Sequence, residues 1–123
     1  MSKKLFSSLA ALVIVLSLSV MVAAQDEKSV TLTGNIIDKN CSAKATTAEA
    51  AAGHKKGCAL SGNCLKSGLG VYADGKYVEF DAKGTELGKA ALEKTSKANG
   101  AVFKVTGKIA DGKLMVESIT EVE

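Results

Sequence analysis

Leu69-Gly70-Val71-Tyr72-Ala73-Asp74-Gly75-Lys76-Tyr77-Val78-Glu79-Phe80 is two β-forming runs joined by Asp-Gly. Asp-Gly between such runs is a strong short hairpin signal, because a two-residue turn whose twist matches the strands needs positive φ at both positions. The turn fixes the register. Ala73 faces Lys76, Tyr72 faces Tyr77 and Val71 faces Val78. Leu69, Val71, Val78 and Phe80 then share one face, while Tyr72 and Tyr77 pair on the other.

The same logic extends in both directions. Ser29 to Asp38, with Val30, Leu32 and Ile36 at alternate positions, reads as a half-buried first strand. Ala101 to Ala110 and Lys113 to Val122 flank a second Asp-Gly, Asp111-Gly112, and predict a second hairpin with Phe103, Val105, Ile109, Leu114 and Val116 facing inward. Ile119 falls on the opposite parity from Val116, so either a bulge near Ser118 or an exposed isoleucine is expected. Thr85 to Ala98 has helical spacing of Leu87, Ala91 and Leu92, with Thr85 as N-cap and Asn99-Gly100 as stop. Thr33-Gly34-Asn35-Ile36 is echoed by Thr106-Gly107-Lys108-Ile109, and a glycine inside a strand marks a bend. Three strands, a helix and two strands with such bends describe a β-rich α+β domain. It resembles the OB-fold, a small five-stranded barrel with one helix between strands 3 and 4.

Composition narrows the classes of function. Lys3 and Lys4, an apolar run from Leu9 to Val22 and the small residues Ala23-Ala24 form the three-part layout of a signal peptide over residues 1–24, with residues 25–123 as one exported domain. The expected location is periplasmic or secreted, with membrane contact only during export. All 16 basic residues are lysine, against 13 acidic, and loss of the leader lowers the net charge from +3 to +1. That balance, without arginine, argues against a nucleic-acid partner.

Residues 39–68 do not fit a minimal five-stranded domain. A connection of this length is usually functional or structured. Thr46-Thr47-Ala48-Glu49 matches a capping box and predicts a short helix to about Ala52; a second helical stretch is expected from Cys58 to about Lys66. This insertion holds all three cysteines and the only histidine: Cys41, His54, Cys58 and Cys64, spaced C-x12-H-x3-C-x5-C, with Asp38 three residues before the first. The spacing is neither C-x-x-C nor C-x-x-C-H, so a thioredoxin-like pair and covalent haem attachment are unsupported.

Two readings of the cluster stand side by side. One is a structural disulfide with a leftover thiol, suited to an oxidising compartment. If residues 58–64 form continuous helix, those two cysteines lie about 9 Å apart along the axis, so the bridge runs from Cys41 to Cys58 or Cys64 unless Gly62 breaks the helix. The other is a metal site, in which three thiolates and an imidazole offer a tetrahedral set to zinc or another thiophilic ion. A Cys–His nucleophile oriented by Asp38 is the enzymatic option, and Asp-x-x-Cys is a weak pattern for it.

The Val30-to-Asp38 strand, with Cys41, His54-x3-Cys58-x5-Cys64, Gly68-Leu69-Gly70 and the Asp74-Gly75 hairpin, resembles a group of short exported bacterial proteins. The resemblance implies export and a small β-rich domain with a Cys/His insertion, and it implies no activity. The function expected is that of an exported, non-enzymatic domain whose cluster is disulfide-stapled or binds a metal. The alternative is a barrel that binds a glycan or protein through a Tyr72/Tyr77 stacking face.

Overall fold

A computed structural model describes residues 28–123, so the leader expected over residues 1–24 lies outside the described part. In chain order the elements are β1 (Ser29–Asp38), α1 (Lys39–Ser42), α2 (Ala48–Gly53), α3 (Lys56–Ala59), α4 (Gly62–Lys66), β2 (Leu69–Ala73), β3 (Lys76–Glu79), α5 (Ala82–Lys94), β4 (Val102–Ala110) and β5 (Lys113–Val122). The strands form one five-stranded antiparallel sheet in the order β3-β2-β1-β4-β5. The β-rich α+β architecture is therefore as the periodicities predict, with a helix between β3 and β4 and a helical insertion between β1 and β2.

Both hairpins turn on Asp-Gly with positive φ at all four residues: Asp74 at 51° and Gly75 at 76°, Asp111 at 52° and Gly112 at 74°. Tyr72 pairs with Tyr77 and Val71 with Val78, the register a two-residue turn imposes. The expected irregularity in the second hairpin is also present. Thr106 pairs with Ser118 but Gly107 with Val116, leaving Glu117 as the extra residue. That bulge restores Ile119 to the core side, opposite the buried Val105. Ile109 departs from the expectation. It is the cross-strand partner of buried Leu114, yet at the hairpin end it is 45% exposed.

The bend glycines act as close-approach sites. Residues 29–34 of β1 pair with β4 and residues 35–38 pair with β2, so the strand changes partner immediately after Gly34. A Cβ at Gly34 would collide with the Tyr72 carbonyl oxygen, and one at Gly107 with that of Met115. β1 thus couples the two hairpins through a position that tolerates no side chain.

The N-cap of α5 falls four residues earlier than predicted, and the helix ends at Lys94, short of the expected Ala98. Asp81, not Thr85, is the N-cap, its Oδ1 accepting from Gly84 N at 2.8 Å; the same oxygen accepts from Val116 N at 3.3 Å and ties the helix start to β5. Thr85 instead accepts from Leu69 N through its hydroxyl. Gly84 and Gly88, one turn apart, lie against Phe80, Val116 and Leu69, and their lack of Cβ lets the helix sit close to the sheet. The main core gathers Ile36, Leu69, Val71, Phe80, Leu92, Phe103, Val105, Leu114 and Val116. Beyond β3, Phe80 makes an isolated parallel bridge to Leu114, which brings the two sheet edges into contact.

A second, smaller core lies on the opposite face, where Ile37 and Tyr72 pack with Ala45 and Ala51 of the insertion and Tyr77 closes the cluster. β2 is consequently buried at all five residues. Gly34→Ala is expected to destabilise the protein by about 1–3 kcal/mol, the usual range for overpacking, read as a lower midpoint in urea with an unchanged slope. An unaltered midpoint would contradict the close approach of β1 and β2 at this point.

Candidate metal centre

The insertion starts from a neck. Lys39 N donates to Gly68 O at 2.9 Å and Asn40 N to Ser67 Oγ at 3.2 Å, so a segment of about 30 residues leaves and rejoins the sheet at one place. Midway along, Lys56 N donates to Ala98 O at 2.9 Å, and Lys55 bridges Asn99 in the α5–β4 connection. Tyr72 Oη donates to Thr46 O at 3.1 Å and fixes the start of α2. The N-cap of α2 is Thr47, one residue later than the capping-box match, with its hydroxyl accepting from Ala50 N.

Asp38 is the last residue of β1 and the N-cap of α1. Its side chain has no exposed surface. Oδ2 accepts from Cys41 N at 3.0 Å, and Oδ1 lies 2.8 Å from His54 Nε2. A carboxylate oxygen can only accept, so the proton of this contact sits on Nε2, and a neutral ring then carries its free lone pair on Nδ1. His54 follows directly on α2 and is 12% exposed at its side chain.

Cys41 comes from α1, Cys58 from α3 and Cys64 from α4. The helical stretch expected from Cys58 to Lys66 is broken at Leu60 and Ser61, where Ser61 takes an extended ψ of 150° before Gly62 starts the next helix. The 9 Å separation expected along an unbroken helix therefore does not arise. The three sulfurs lie within 4.8 Å of one another, and Cys41 also lies within 4.8 Å of the donor atoms of Asp38 and His54. All three cysteines are free, and no disulfide is present among the described residues. Serines satisfy the peptide groups beside them: Ser61 Oγ donates to Cys58 O and Ser67 Oγ to Cys64 O.

The surroundings of the thiols differ. Cys58 is exposed, while Cys41 and Cys64 are half-buried. Burial first, then the charge and hydrogen-bond acceptance of Asp38, and finally Cys58 push the Cys41 thiol from its usual 9.0 up to about 12. A nucleophilic cysteine needs the reverse shift. His54 is committed to Asp38 through Nε2.

Tyr72 and Tyr77 stand side by side as predicted, but the insertion lies over them. Tyr72 is only 7% exposed and its hydroxyl is engaged by Thr46. Tyr77 packs over Gly70, and its hydroxyl reaches Ile37 O at 3.5 Å. Burial, then Glu79 and Asp38, hold that hydroxyl well above the ordinary tyrosine range. A base or sugar ring stacking here would find the face already occupied. Asp38, expected from the sequence as the group that would orient the imidazole of a Cys–His pair, does meet that ring, while its place as a buried anchor was legible only in the N-cap pattern of an Asp three residues before the next backbone donor.

No family model, curated protein or solved structure matches this chain.

Two outcomes follow from the geometry. In the reduced, metal-free protein at pH 8, iodoacetamide should label Cys58 first and Cys41 last, as read by peptide mass spectrometry over time; equal rates would contradict the difference in exposure and protonation. Asp38→Ala removes the acceptor of two donors at a fully buried position and should lower unfolding stability by about 1–3 kcal/mol, measured by chemical denaturation.

Proposed function

We propose that this protein is a small exported domain of OB-like architecture whose insertion binds one thiophilic metal ion through Cys41, Cys58 and Cys64. The observation that carries the reading is the convergence of three sulfurs within 4.8 Å from three separate short helices. Thiolates bound to one zinc ion at about 2.3 Å stand about 3.8 Å apart at tetrahedral angles, so the side chains need only small adjustments to share an ion. Soft sulfur ligands suit zinc and cuprous copper and disfavour magnesium or calcium. Asp38 stands beside the thiols, where its Oδ2 accepts from Cys41 N and its Oδ1 holds His54 Nε2 at 2.8 Å, so it fixes the start of the short helix that carries Cys41.

Several features support the remaining parts of the reading. The leader-like composition of residues 1–24 supports export. The strand order, the partner change of β1 after Gly34 and the Phe80–Leu114 bridge between the sheet edges support an OB-like barrel. A binding role is favoured over catalysis by Cys41 because burial, and then Asp38, raise its thiol instead of activating it.

Intact mass and metal content of the purified protein test the proposal together. The expected result is one zinc or copper equivalent per chain, and three alkylated cysteines after the metal is stripped without reductant. A single alkylated cysteine under those conditions, two more appearing only after reduction, would show a disulfide and sink the metal reading.

A further inference from the structure

Resting on that metal-binding reading, we infer that the ion is an exchangeable cargo. It is held by the three thiolates alone, with its fourth position open to an external thiolate brought by a second molecule.

The donor atoms define the limit of the protein's own ligand set. Two groups of metal-competent side chains are present among the described residues, Cys41 with Cys58 and Cys64, and Cys41 with Asp38 and His54, and they share only Cys41. His54 belongs to the second group and does not converge with Cys58 and Cys64. It is also restrained, because Nε2 is held at 2.8 Å by a carboxylate that is itself fixed as the N-cap of α1. A structural zinc site closes its tetrahedron with four protein ligands, whereas a site with three protein ligands keeps one position for an incoming group.

Access points the same way. Cys58 is exposed. A depression of about 190 Å³ opens beside Cys41 and His54, bordered by Lys44, Ala45 and Ala50. The insertion is held by its neck, by the Lys56–Ala98 bond and by Tyr72, and the main core lies on the other face of the sheet. None of these contacts runs through the three sulfurs, in contrast to small domains whose fold is tied together by zinc.

The charge of the insertion selects the incoming donor. Residues 39–68 contain Lys39, Lys44, Lys55, Lys56 and Lys66 against Glu49 as their only acid. Lys39 is paired with Glu79 and Lys56 reaches Thr95 O, while Lys44 borders the depression itself. A cationic rim attracts an anionic soft donor, a thiolate, over a neutral imidazole. The exchange is ligand substitution: the incoming sulfur forms a bond to the ion, one cysteine bond then breaks, and that cysteine takes up the proton released by the incoming thiol. No oxidant is required.

Cobalt(II) is the probe, because its visible d–d bands report the ligand set of a tetrahedral site. The purified, reduced protein is loaded with one equivalent of cobalt under anaerobic conditions and titrated with 2-mercaptoethanol, then separately with imidazole. The inference expects a saturable band shift with the thiol, a weaker response to imidazole, and the same starting spectrum in His54→Gln, whose amide can still donate to Asp38. The stripped protein should keep its fold, read as the same far-ultraviolet circular dichroism spectrum with and without the ion; unfolding on metal removal would mean a structural ion and overturn the exchangeable-cargo inference. A wild-type spectrum that ignores the thiol, together with altered bands in His54→Gln, means a closed three-cysteine, one-histidine site and overturns the inference while leaving metal binding intact. Loss of the bands with no new spectrum also overturns it, since no ternary complex forms. Absence of cobalt binding despite three titratable free thiols would remove the metal-binding reading itself.

Discussion

Asp38 ends β1 with a carboxylate that has no exposed surface, and the arrangement of the insertion follows from how that charge is accommodated. A buried carboxylate without partners costs several kcal/mol or more, so its oxygens must be met by donors. One donor is the Cys41 backbone, which starts α1 at that point; the other is His54, which must then come back across 16 residues to meet it. These two contacts place Cys41 and His54 side by side at the mouth of the insertion. The neck bond from Lys39 to Gly68 brings the far end of the segment to the same spot, and α4 with Cys64 arrives there as a result.

The scaffold presents this anchor because β1 serves two partners. Its first part belongs to the β4–β5 hairpin and its last four paired residues to the β2–β3 hairpin, with Gly34 at the change. Alternation along the strands leaves Ile37, next to the core residue Ile36, and Tyr72, next to Val71, on the face away from the main core. That face is too apolar to remain in water, and the insertion covers it with Ala45 and Ala51. The helices of the insertion have four to six residues, too short to persist alone, so they depend on this surface and on the buried carboxylate.

Legibility in the sequence tracked the range of the interactions involved. Asp74-Gly75 and Asp111-Gly112 declared their turns because positive φ is a local demand. The Glu117 bulge was foreshadowed by the parity of Val116 and Ile119, since alternation along one strand is also local. The start of α5 was missed because Asp81 and Thr85 are both good caps, and the choice was made by a distant donor, Val116 N, that only Asp81 reaches. Ile109 was misjudged because alternation gives the side of the sheet but not how far cover extends along it.

For the site, the sequence by itself determined its membership: three cysteines and one histidine concentrated between β1 and β2, in a segment too long to be a simple connection. It also left open whether the 58–64 stretch is one helix, which would keep Cys58 and Cys64 apart, or is broken near Gly62. Only the tertiary structure decided that the helix breaks at Leu60–Ser61, that the three sulfurs converge, and that His54 turns to Asp38 and away from Cys58 and Cys64. It likewise converted Tyr72 and Tyr77 from a candidate open face into the floor beneath the insertion. The physical reason is common to all of these. Spacing along a chain limits which residues can meet, but burial of a charge and of an apolar face selects which of them do.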